Sequence, residues 1–188
     1  YLYTGNQKAL KINEGIANWT GEITKNLSDS LFQKMLVTEY GGMNDALVNT
    51  YAITGNKKYL DLSYKFYDKR ILDSLAAQLD VLPGKHSNTQ IPKVIGSARR
   101  YQLTGDKRDK AIADFFWETV TKHHSYATGG NSNYEYLSEP DKLNDRLTDN
   151  TTETCNTYNM LKLTRELFVL NPSAALMDYY EKALYNHI

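Results

Sequence analysis

The sequence predicts an all-α fold of helical hairpins arranged as a repeat. Three observations carry this. The dipeptide Thr-Gly returns at Thr4-Gly5, Thr54-Gly55 and Thr104-Gly105, and a period of roughly 50 residues marks stacked supersecondary units. The stretches flanking these dipeptides carry apolar residues at helical spacing. Strand-like alternation is nearly absent.

The elements follow in order. An aromatic precedes each Thr-Gly (Leu2-Tyr3, Tyr51, Tyr101), and Asn6, Asn56 or Asp106 follows it. Gly supplies a left-handed helix end, and Asn or Asp starts the next helix as an N-cap. Asp45–Ile53 reads as a mostly buried helix. Its partner carries Tyr59, Leu60, Leu62, Tyr64, Phe66, Tyr67 and Ile71 as one helix. The next unit pairs Ile95–Leu103 with a helix through Ala111, Ile112, Phe115, Phe116, Trp117 and Val120. A fourth, degenerate unit runs through Tyr158–Phe168, breaks at Asn171-Pro172 and resumes over Leu176–Tyr185. Two segments, Leu79–Pro92 and Lys122–Thr152, break the rhythm as long polar connections, and such connections often carry function. All Thr-Gly turns join their helices in the same sense, so stacked units would gather the long connections on the opposite rim.

Bulk properties narrow the function. The 188 residues fit one domain. Lys plus Arg and Asp plus Glu number 22 each, so the net charge is zero, which argues against nucleic acid or an anionic membrane as partner. No apolar run is long enough to span a membrane. A single cysteine, Cys155, excludes an intrachain disulfide. The 15 tyrosines suit grooves for polar, ring-shaped ligands as well as helix packing. The chain opens inside a repeat, so it is expected to be a single domain, 1–188, truncated at both ends.

Three constellations carry candidate chemistry. In Thr151–Asn156, Thr152 is an expected N-cap, which puts Glu153 and Cys155 in the first turn of a helix. Carboxylate and thiolate together suit zinc, although two more ligands are needed; the plain alternative is a structural Cys beside an acid favoured by the helix dipole. In Gly129–Glu135 the glycines free the backbone to approach a ligand. There Glu135, among aromatics and near a second acid, is a candidate proton donor with a raised pKa, with Glu139 a rival. In His86–Lys93, the residues His86, Asn88, Thr89 and Gln90 crowd a helix N-terminus with hydrogen-bonding groups suited to sugar hydroxyls. Pro92 is tolerated in a first turn. The adjacent His123-His124 diverge and are expected in a loop or at the surface.

Taken together, His86–Lys93, Tyr126–Asn131 with Glu135, Glu153–Leu161, and Asp178–Glu181 with Ala183–Asn186 resemble the β-L-arabinofuranosidase group, glycoside hydrolase family 127 and its relative family 146. The segment Glu39-Tyr40-Gly41-Gly42-Met43-Asn44 resembles the family 146 side. The resemblance runs across nearly the whole chain. It implies an (α/α)6 barrel, here incomplete with about four helix pairs. It also implies bacterial origin and a retaining hydrolase of β-linked L-arabinofuranose in plant-type glycans, working in the periplasm or outside the cell. Carried over by motif, Glu135 matches the acid/base, and Glu153 and Cys155 match two zinc ligands. The family's nucleophilic cysteine has no counterpart in this sequence, so the isolated chain is expected to lack activity and to bind zinc poorly. Sugar binding by His86, Asn88 and Gln90 is read from the residues alone. A competing reading is a non-catalytic helical-repeat module that binds carbohydrate or protein. Another is an isomerase or lyase on a similar toroid, which would need neither cysteine nor zinc. Oligomeric state is not legible.

Overall fold

The computed structural model describes residues 1–38 and 40–188. Glu39, the first residue of the segment Glu39–Asn44, lies outside the described residues. The described helices are α1 (Gln7–Thr24), α2 (Asp29–Met35), α3 (Met43–Thr54), α4 (Lys57–Lys65), α5 (Lys69–Ala76), α6 (Ser87–Thr104), α7 (Lys107–His123), α8 (Thr154–Leu170) and α9 (Ala174–Asn186), with a 3-10 turn at Leu143–Arg146. Among the described residues there is no strand, only isolated bridge pairs such as His86 with Tyr136 and Asn133 with Thr151.

The Thr-Gly turns share one construction. Gly55 and Gly105 sit at φ 68° and 74° and end α3 and α6. The preceding threonine does two jobs. Thr54 Oγ1 donates to Thr50 O at 2.8 Å and accepts Asn56 N–H at 3.2 Å. Thr104 repeats both bonds at 2.8 and 3.2 Å. Asn56 and Asp106 then cap the next helix by accepting from Lys58 N and Arg108 N. One tripeptide therefore satisfies orphan groups of the ending helix and the starting one.

α6 packs against both α3 and α8, and each of these three is followed by its hairpin partner, α4, α7 or α9. The result is a two-row arc, an incomplete (α/α)6 barrel. The first of the four sequence units is represented by α1, which packs on α3. Close approach of α3 to α6 depends on Gly96, where an added Cβ would lie 2.2 Å from Asn44 Nδ2. Asn44 is fully buried and donates to Lys93 O at 2.7 Å. The main core joins α5 through α9 around Leu72, Ile91, Val94, Phe116 and Met160; a smaller one joins α1 to α4 around Phe32, Leu47, Tyr59 and Phe66.

Several local expectations are corrected. The helix expected through Tyr59–Ile71 is two, α4 and α5, because the chain breaks at Phe66–Asp68 to bury the Asp68 carboxylate. The connection expected to reach Pro92 ends earlier. α6 starts at Ser87, and Pro92 is its sixth residue, beyond the first turn in which it was expected, so it removes the interior bond that an N–H at this position would make to Asn88 O. Thr152 is not the cap of α8. It adopts φ 65°, and Glu153 takes the cap position without a side-chain capping bond.

Candidate functional site

The site is built where the two long connections meet. Segment 84–87 pairs with the loop through residue 137. Gly84 N donates to Leu137 O at 2.8 Å, Leu137 N to Lys85 O at 2.9 Å, and Ser87 N to Glu135 O at 2.8 Å. On its other side the loop is held by Thr152 N to Ser132 O at 2.9 Å and Tyr134 N to Asn150 O at 3.1 Å. Ser132, Tyr134 and Glu135 have φ of 76°, 47° and 71°. Side chains rarely adopt this region, and strain of this kind is held where the surroundings over-determine the backbone.

This backbone brings Glu135 to His86, with Nε2 and Oε2 3.0 Å apart. His86 is the N-cap of α6, and its Nδ1 accepts Thr89 N–H at 3.3 Å. With Nδ1 accepting, the neutral ring carries its proton on Nε2, directed at Glu135. Tyr136 braces the imidazole edge-on, with ring centroids 5.5 Å apart. The rival acid Glu139 makes no such contact among the described residues.

Beside His86 opens a cleft of about 310 Å³ bordered by Arg70, Thr89, Gln90, Lys93 and Tyr136. Its floor is an ion network centred on the buried Asp68 and Lys93. Asp68 Oδ2 receives Lys93 Nζ at 2.9 Å and Arg70 at 3.0 Å, and Lys93 also reaches Gln90 Oε1 at 2.9 Å. Gln90 therefore borders the cleft with its amide engaged internally, its Nε2 on His86 O at 3.1 Å. Asn88 lies to one side, accepting from Asn159 Nδ2 at 2.7 Å across α6 and α8. Asp68, Arg70 and Tyr136 carried no sequence signal. Asp68 reads there as one more polar residue between two apolar stretches.

Glu153 and Cys155 adjoin the same place from α8. Glu153 Oε2 is buried and has no hydrogen-bond partner among the described residues. Cys155 is exposed. The Glu153 charge is the main cause that pushes its thiol pKa up, and the Glu135 charge adds in the same direction. The backbone bond from Thr152 N to Ser132 O sets the start of α8 against the loop that carries Glu135. As a donor set, Glu153 and Cys155 fit zinc: a carboxylate with an unpartnered buried oxygen beside a sulfur. They make half a tetrahedral set. Among the described residues, no group of three or more His, Cys, Asp or Glu converges to hold a metal.

The glycines of the loop do other work than expected. A Cβ at Gly129 would lie 2.8 Å from the Ala183 backbone, and one at Gly130 would lie 2.8 Å from the Thr152 side chain. They admit α9 and the α8 entrance rather than a ligand. Of the histidine pair, His123 is on the surface with Asp141, whereas His124 is buried and meets Asp80 at 2.9 Å. That contact ties the two long connections at their base.

The model of the β-L-arabinofuranosidase GH127 catalytic domain matches residues 1–188. The chain belongs to the GH127 family. Among solved structures it is similar to a GH127 β-arabinofuranosidase, at 27% identity and TM-score 0.64, over 77% of this chain and 24% of that one. A GH127 β-L-arabinofuranosidase from Geobacillus stearothermophilus T6 matches at 23% identity and TM-score 0.59, over 76% of this chain and 27% of that one. A protein described as a glycoside hydrolase matches at 18% identity and TM-score 0.77, over 97% and 34%; at these last two identities the likeness shows the fold. The GH127 chain thus spans about a quarter to a third of the length of these structures. No curated protein matches it. No described helix is long and apolar enough to cross a membrane.

Proposed function

We propose that this chain supplies the acid/base side of a retaining glycoside hydrolase acting on β-linked L-arabinofuranosides of plant-type glycans, outside the cytoplasm in a bacterium. The single observation that supports it is the 3.0 Å contact of His86 with Glu135, on a loop whose backbone is bonded to Thr152 at the start of α8.

Glu135 is the proton carrier. His86 Nε2–H occupies Oε2, which orients the carboxyl and leaves Oε1 to hold the proton. That proton passes to the departing glycosidic oxygen; Glu135 then takes a proton from water in the second step, as the two-step retaining scheme requires. The His86, Tyr136 and Lys93 cleft binds the sugar. Glu153 and Cys155 would hold zinc, which supplies a cation that keeps thiols ionised near neutral pH. Cys155 is the only cysteine of the sequence. Since this reading gives it to the metal, the attacking sulfur is not among these 188 residues, and the isolated chain is expected to be inactive.

The experiment is Glu135→Gln in the full-length enzyme, with aryl β-L-arabinofuranoside turnover and zinc content both measured. Turnover is expected to fall by about 10²–10⁴-fold with zinc content unchanged. Undiminished turnover would remove Glu135 from the chemistry.

A further inference from the structure

On the outer wall, where α2, α4 and the start of α7 meet, lies a second depression of about 440 Å³. Phe32 forms its floor, and Tyr64 and Tyr67 stand in its walls. Both tyrosines stack on guanidinium groups, Arg100 buried behind Tyr64 and Arg108 lining the depression itself. The Arg100 guanidinium lies 4.7 Å from the Tyr64 ring, and Arg108 lies 4.7 Å from the Tyr67 ring. Tyr64 stays 38% exposed, so a preset aromatic surface faces solvent. Around it stand polar groups of both signs. Lys69 is paired with Asp29 and Arg108 with Asp73. The Asp61 carboxylate and the Lys65 ammonium, one helical turn apart on α4, make no hydrogen bond or ion pair among the described residues. Asp106 Oδ2 lies 3.5 Å from Tyr64 OH.

An aromatic platform whose rim sets acids beside bases, most of them already paired, and keeps Asp61 and Lys65 available to accept and donate, suits a neutral, hydroxyl-rich ring. C–H faces stack on the tyrosine, and hydroxyls bond the rim. The position matters as well. Residues 67–71 form the wall between this depression and the His86 cleft: Tyr67 and Lys69 border the one, Arg70 and Ile71 the other. A chain of sugars leaving the cleft over the start of α5 would meet the depression next.

We propose that the Tyr64–Tyr67 depression is a distal subsite for a neutral sugar unit of the same glycan whose terminal residue enters the His86 cleft. The inference rests on the glycosidase reading, so its test separates the two. The full-length enzyme carrying Glu135→Gln to block turnover, labelled with 15N and 2H, is titrated with a linear four-unit L-arabino-oligosaccharide and with methyl β-L-arabinofuranoside. The oligosaccharide is expected to shift amides of α4 around Asp61 and Tyr64 as well as those around His86; the single sugar shifts only the latter. Tyr64→Ala should raise the oligosaccharide Kd by roughly 3- to 10-fold and leave the methyl glycoside Kd unchanged. Asp61→Ala, at an exposed site that leaves the Arg100 stack intact, should act in the same direction. An oligosaccharide that leaves the α4 amides unmoved, or binds all three proteins equally, overturns the subsite whatever happens at His86. Shifts on α4 with none at His86 uphold a sugar site there and count against the glycosidase reading instead.

Discussion

At the scale of single residues, the site depends on how tightly the loop from Gly129 to Glu135 is seated. Gly129 adopts φ 94° and faces the Ala183 backbone. Gly129→Ala therefore combines an unfavourable backbone conformation with overpacking, and a loss of about 2–4 kcal/mol is expected in chemical denaturation. A stability within experimental error of the parent would show that α9 can yield. His187 is the second sensitive residue. Its Nδ1 lies 2.6 Å from Thr157 Oγ1 on α8, and burial pushes its pKa below the ordinary 6.5. A histidine lowered on folding stays neutral longer in the folded protein than in the unfolded chain. Its contribution is complete above pH 6.5 and is lost as pH falls through 6.5 toward the folded value. The denaturation midpoint should drop between pH 8 and pH 5 by less in His187→Gln than in the parent. Equal drops would place the acid sensitivity elsewhere.

At the scale of elements, each hairpin is set by its turn and then locked by buried polar groups. Arg100 on α6 is fully buried and is gripped by Asp109 of α7 at 2.8 and 2.6 Å, with a further bond to Ser63 O of α4 at 3.3 Å. One guanidinium thus joins three helices. Asp109→Ala leaves that charge buried without its counter-ion, which costs about 3–5 kcal/mol in comparable cases. The change should appear as a lowered Tm; a variant as stable as the parent would mean that the α4 contacts suffice. Asp68 plays the matching part above, where it stops α4, starts α5 and anchors the cleft through Lys93 and Arg70. Removing a group so deeply engaged would disturb fold and cleft together, so sugar binding by such a variant would say little about either.

At the scale of the molecule, stability is uneven along the arc. α6 lies in the middle, packed on α3, α7 and α8, whereas α1 lies at the end of the arc, against α3 and α4. Ile12, Ile16, Trp19 and Ile23 of α1 recur at helical spacing and are all more than half exposed. A helix with so little burial opens without unfolding its neighbours. In hydrogen exchange, the amides of α1 should be at least about 100-fold less protected than those of α6. Equal protection of both would mean that the arc unfolds only as a whole.

The sequence by itself determined the all-α class, the hairpin period and the position of every Thr-Gly turn, because capping and the left-handed glycine are local physics acting over a few residues. It also carried the family resemblance, through short ordered motifs around His86, Glu135 and Cys155. The break within Tyr59–Ile71, the burial of Asp68 and His124, the engagement of Gln90 by Lys93, and the approach of Gly129 to α9 were decided only by tertiary structure. Most of these depend on a partner tens of residues away, and even the bond between Gln90 and Lys93, neighbours on α6, is fixed by Asp68 from another segment; whether a polar side chain is solvated or buried in a network is settled by packing that no local pattern encodes. The meeting of Glu135 with His86 belongs to both levels: the motifs named the residues, and three strained backbone positions between two long connections brought them within hydrogen-bonding distance.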